Sequence, residues 1–192
     1  MLSGAKTDRD FDRMIDFQCQ RLESHVFRKF RDQLRLDHEK SRLGFATGIT
    51  DGDLIDKLHA HGLRDDNLTA FLFLPVAMAG WADGVINRQE VLVANQAFES
   101  LEPAPSPEAR ELFSSWLTQR PSQTLMDYWE QWIGIILDRE DPDSLYEFLR
   151  AIAWVTEKVA SASGGFLGIG KISGSEWAIL NRVHRFLNRL RI

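Results

Sequence analysis

Three oxygen-bearing side chains stand close together in the middle of the chain: Asp83, Asn87 and Glu90, in the run Ala82-Asp83-Gly84-Val85-Ile86-Asn87-Arg88-Gln89-Glu90. A turn bringing two carboxylates and an amide oxygen together offers hard donors for a divalent cation. Calcium requires six to eight oxygens and magnesium a near-octahedral set, and the alternating acids of an EF-hand loop are missing here. The same residues serve equally well as structure. In that reading Asp83 accepts hydrogen bonds from turn amides, Gly84 supplies a positive φ, and Glu90 closes a capping box with Asn87. Both readings stay open on the sequence, with Asp83, Asn87 and Glu90 as the candidate metal ligands.

Four other groupings invite a chemical reading. Gly165-Phe166-Leu167-Gly168-Ile169-Gly170-Lys171 matches the first seven positions of a phosphate-binding loop, but the eighth residue is Ile172 instead of Ser or Thr. It also follows a helical segment where the motif needs a strand, so a compact apolar loop is expected. His59 and His61 lie two apart, which on a helix turns them to different faces and speaks against zinc. Cys19 lies on an apolar stripe, a place for packing more than for nucleophilic attack, and no Gly-x-Ser-x-Gly or His-Glu-x-x-His pattern occurs. Arg182, Arg185 and Arg189 share one helical face, with Arg191 beyond them. That face could meet an acidic surface, but the expectation is that it stays solvated or pairs with the acids at Asp138, Glu140, Asp141 and Asp143. Enzymatic chemistry finds no support.

The elements that must position these residues are helical. Phe11, Ile15, Cys19, Leu22, Val26, Phe30 and Leu34 recur at steps of three and four, predicting an amphipathic helix over about residues 8–41, broken by Gly44 and Gly48. Thr50 and Asp53 open a short helix ending near Gly62. The Asp65-Asp66-Asn67 run caps an apolar helix over about 68–81, kinked by Pro75. Asn87 caps the next, to about Ser100. Pro103-Ala104-Pro105 stops it, and Ser106-Pro107-Glu108 starts another that ends before Pro121. Residues 124–137, 143–160 and 173–192 complete about eight helices, and no segment alternates as a strand would. The fold class is therefore all-α: a single domain over 1–192, with a long N-terminal helix and linker over 1–48 and a helical core over 49–192. Ile86-Asn87-Arg88-Gln89-Glu90 is echoed by Ile172-Ser173-Gly174-Ser175-Glu176, predicting two helix-turn-helix units whose second helices each open on a capping box.

The stretch from Pro75 to Glu90, a small-residue helix followed by Ala-Asp-Gly, a hydrophobe and a Glu at the head of the next helix, resembles the signature of the tellurite-resistance TerB-like family. The match is densest over 68–98 and looser over 145–187, where Ser163-Gly164-Gly165 stands in place of a second Ala-Asp-Gly. The resemblance implies an all-helical fold and a link to bacterial stress response, related domains also occurring in a DnaJ-like co-chaperone. It implies metal binding only at Asp83 and Glu90.

Bulk composition narrows the function classes. The 192 residues, 44% hydrophobic with 6 Trp and 12 Phe, suffice for a sizeable core. One cysteine allows no internal disulfide, the first ten residues lack the apolar region of a signal peptide, and no run of about 18 apolar residues occurs, so a cytoplasmic location is expected. The net charge of −5 argues against nucleic acid or an anionic membrane surface as partner. The leading expectation is a non-enzymatic helical adaptor that binds another protein, with a divalent cation at the Asp83 turn as the one candidate cofactor. The alternative is a metal-binding sensor or sequestering protein.

Overall fold

A computed structural model describes residues 25–162 and 173–190, which form nine α-helices and no strand. In chain order they are α1 (His25–Thr47), α2 (Gly52–Ala60), α3 (Leu68–Leu72), α4 (Leu74–Gly80), α5 (Arg88–Glu99), α6 (Pro107–Thr118), α7 (Gln123–Leu137), α8 (Pro142–Ala162) and α9 (Gly174–Leu190). The all-α expectation holds. Among the described residues no helix is long and apolar enough to cross a membrane.

Three boundaries differ from expectation, each for a local reason. The segment expected as one kinked helix over 68–81 is two helices meeting at Phe73, which raises the count from about eight to nine. Pro75 lies in the first turn of α4. Without an N–H, and with its ring crowding the carbonyl four residues back, it starts a helix better than it continues one. Gly44 does not break α1, which runs through it to Thr47. A Cβ at Gly44 would lie 2.9 Å from Ile55 Cδ1, so this glycine lets α2 approach closely. The break is at Gly48, with φ of 69°, after the Thr47 hydroxyl has donated to Leu43 O (2.7 Å) and accepted from Ile49 N (3.3 Å). Asp51, in place of Thr50, caps α2 by accepting from Asp53 N at 2.9 Å. The expected helical residues 8–24 lie outside the described residues.

The centre of the molecule is α4. All seven of its residues, Leu74 to Gly80, are buried, so it is apolar all round, as a helix enclosed by others must be. It packs against α8 and α9 and also meets α3, α5, α6 and α7. Aromatic side chains lock its entrance: Phe98 and Phe113 stack at 4.3 Å, and Phe73 meets both edge-on at 5.3 and 6.0 Å. Trp132 stacks on Phe71 at 5.1 Å and donates through Nε1 to Thr47 O at 3.1 Å, tying α7 to the end of α1.

The expected pairing of units is present. In one, α4 leads through a turn to α5; in the other, α8 precedes α9. The packing crosses over, with α5 against α8 and α9 against α4. Each second helix opens on a capping box. Asn87 Oδ1 accepts from Gln89 N (2.8 Å) and Glu90 N (3.1 Å), while Glu90 accepts from Asn87 N (2.8 Å). Ser173 Oγ accepts from Glu176 N (3.2 Å), and the Glu176 carboxylate accepts from Ser173 N. Both glutamates are buried. Their charge is tolerable there because it faces the N–H groups and positive pole of a helix N-terminus.

Candidate functional site

The Ala-Asp-Gly turn follows directly from the end of α4. Ala82 N donates to Ala79 O and Gly84 N to Trp81 O, both at 3.0 Å, winding the chain out of the helix. Gly84 then takes φ of 100°, a conformation that L side chains resist. Trp81 Nε1 donates to Trp116 O at 2.8 Å and pins the turn to α6. Asp83 is exposed and its Oδ1 accepts from Val85 N at 3.1 Å. Of the three candidate ligands, the structure brings Asn87 and Glu90 together in the capping box, while Asp83 accepts from an amide of its own loop. Among the described residues no group of three or more His, Cys, Asp or Glu is arranged to hold a metal ion.

Glu90 is 2% exposed, and its role in the cap makes a direct expectation. Glu90→Ala leaves the Asn87 N–H without this acceptor and should cost about 1–2 kcal/mol in chemical denaturation. Glu90→Gln keeps a carbonyl oxygen able to accept and should recover most of that loss. A Glu90→Gln variant as unstable as Glu90→Ala would show that the carboxylate charge, and not the cap, is what the position requires.

The other groupings resolve as follows. His59 and His61 diverge: His59 Nε2 meets Glu39 Oε2 at 2.9 Å, toward α1, whereas the His61 ring lies edge-on to Tyr128 of α7 at 5.6 Å. Arg64 joins His59 on Glu39 at 3.0 Å. On the basic face of α9, Arg182 and Arg185 are paired, but with different acids from those expected, whereas Arg189 forms no ion pair among the described residues and Arg191 lies outside them. Arg182 Nε reaches Glu130 Oε1 at 2.6 Å and Nη2 reaches Asp127, and Arg185 Nη2 reaches Glu130 Oε1 at 2.6 Å. Burial lowers the Arg182 pKa, but the hydrogen bonds and charges of Glu130 and Asp127 outweigh it and the net shift is upward. The expected partners Asp138, Glu140, Asp141 and Asp143 lie at the α7–α8 junction. There Asp141 Oδ2 accepts instead from Ser144 N (2.9 Å) and Ser144 Oγ (2.8 Å), which holds its carboxyl below the usual range. Cys19 and the Gly165–Lys171 loop lie outside the described residues.

A feature that the motifs did not disclose is an open groove of 550 Å³ between α5 and α8. Ala97, Ser100 and Ala151 are small and leave the concavity; Val93, Leu101, Phe148 and Trp154 rise around it, over a floor that includes Phe73 and Ile152. Trp154 is 59% exposed. The sequence does carry a signal for the exposed tryptophan, though not for the groove. The buried stripe of α8 runs Leu145, Leu149, Ile152, Thr156, Val159, and a tryptophan two residues past Ile152 points away from that stripe. Lys158 closes one end, its Nζ 5.4 Å from the centre of the Trp154 ring. Such a volume is within the range of ligand sites, and a tryptophan at the rim of an apolar depression is the composition of an interaction surface. Comparison with protein-family models, curated proteins and solved structures returns no match to this chain.

Proposed function

We propose that this chain is a non-enzymatic helical adaptor of the TerB-like kind, which works by binding another protein in the groove between α5 and α8. The observation that carries the reading is Trp154: the most exposed tryptophan among the described residues, at 59% against 45% for Trp177, and one that stands beside an apolar depression, while Trp116, Trp129 and Trp132 are buried. Covering it removes apolar surface from water and, at about 25 cal/mol per Å², makes it an anchor for a partner. The groove is built on two packed helices, so its shape is present before a partner arrives and little ordering entropy opposes binding.

The test places a photo-crosslinking residue, p-benzoylphenylalanine, in place of Gln96, an exposed residue lining the groove, in the source cell. One discrete crosslinked protein is expected, and its loss when Ala97→Arg fills the groove. Circular dichroism and thermal unfolding verify that the Ala97→Arg chain still folds. Crosslinks that are absent, or that persist unchanged in the folded Ala97→Arg variant, would sink the proposal.

A further inference from the structure

The groove has a direction and a charge, and both bear on what it would accept. Its α8 wall runs from Phe148 to Lys158 and its α5 wall from Val93 to Ser100, about 15 and 10 Å at 1.5 Å per residue. Apolar side chains at i, i+4 and i+7 of a docked helix span about 10 Å, so the trough takes the face of an amphipathic helix of two to three turns. Lys158 is the one charged residue lining it among the described residues, and within them it forms no ion pair. Its ammonium rests instead over the Trp154 ring, which holds a cation weakly at an exposed site. The neighbouring Glu157 lines a separate depression on the far side of Trp154, with His184 and Asn188 of α9, and Glu147, which borders Ala151 and Trp154 in a further depression, is paired with Arg150.

We infer that the occupant of the groove is an acidic amphipathic helix, seated by apolar anchors and carrying an Asp or Glu one turn past the last anchor, against Lys158. The inference rests on the reading of this groove as a docking surface and adds to it the chemistry of the partner. A carboxylate there replaces a cation–π contact with a charge-assisted hydrogen bond at the edge of an apolar site, which fixes register and orientation more than it adds affinity. A lysine in the same place meets a like charge.

The test uses the full chain and synthetic helices with leucines at i, i+4 and i+7, followed one turn later by Glu or by Lys, titrated by fluorescence anisotropy. The Glu helix is expected to bind at least about tenfold more tightly than the Lys helix, and Lys158→Glu is expected to invert that order. Trp154→Ala is expected to weaken both helices. Equal binding of the two helices, or a preference that survives Lys158→Glu, would overturn the acidic register while leaving the groove as a docking surface. No binding of either helix would overturn the inference as a whole, and if decanoate bound in their place and was lost in Lys158→Glu, the site would be one for small carboxylates. The adaptor reading fails separately, in the crosslinking experiment at position 96.

Discussion

Ala77→Asp is expected to destabilise the protein severely, by about 2–7 kcal/mol, against the 5–15 kcal/mol by which a domain of this kind is ordinarily stable. Ala77 is fully buried in α4, among residues that are all themselves buried, and the helices meeting α4 leave its side chains no route to water. A carboxyl at this position must either stay neutral or find a partner among apolar neighbours. Burial raises its pKa above the usual value near 3.9, so in the window between the two values the folded variant holds a proton that the unfolded chain releases. Stability therefore falls as pH rises through that window, and the penalty should be larger at pH 7 than at pH 4. Urea denaturation of wild type and variant at both pH values measures it. A penalty independent of pH would mean that the introduced carboxylate reaches solvent, and would contradict the enclosure of α4.

Trp129→Ala should cost about 3–5 kcal/mol, the range for deleting a large aromatic from a core that relaxes only in part. Trp129 is fully buried on α7 and meets Phe186 of α9 edge-on at 6.0 Å, so it joins the second unit to the rest of the core. Its Nε1 meets no hydrogen-bond acceptor among the described residues, whereas Trp81 and Trp132 both donate to backbone carbonyls. That difference separates shape from hydrogen bonding. Trp129→Phe keeps a ring for Phe186 and removes an unsatisfied donor, so it should lose well under half of what the alanine variant loses. Thermal unfolding of the two variants side by side tests this, and a phenylalanine variant as unstable as alanine would point to an unseen partner for the indole N–H.

Much of the helical layout was legible along the chain because its signals act locally. Asn87 with Glu90, Ser173 with Glu176, and Ser106 before Pro107 each satisfy orphan amides within one turn, and a residue pattern that short identifies a helix start without knowledge of the rest of the fold. Pro75 was legible as an interruption, but not whether it would kink a helix or divide it. Gly44 misled for the opposite reason: a glycine in sequence reads as a breaker, and only the approach of Ile55 from α2 gives it a packing role. At the Asp83 turn the candidate ligands were legible as residue types. The engagement of Asn87 and Glu90 with helix amides is a matter of side-chain direction, which spacing leaves open.

The Ala-Asp-Gly turn, the paired caps and the all-helical class were thus determined by the sequence alone, since capping, periodicity and the conformational freedom of Gly84 operate over a few residues. Tertiary structure decided which acids would take the arginines of α9, because Asp127 and Glu130 are more than fifty residues away along the chain and adjacent only once α7 and α9 pack. It also decided that α5 and α8 would leave a trough between them. A groove is the space left between two helices, and no property of either helix alone contains it.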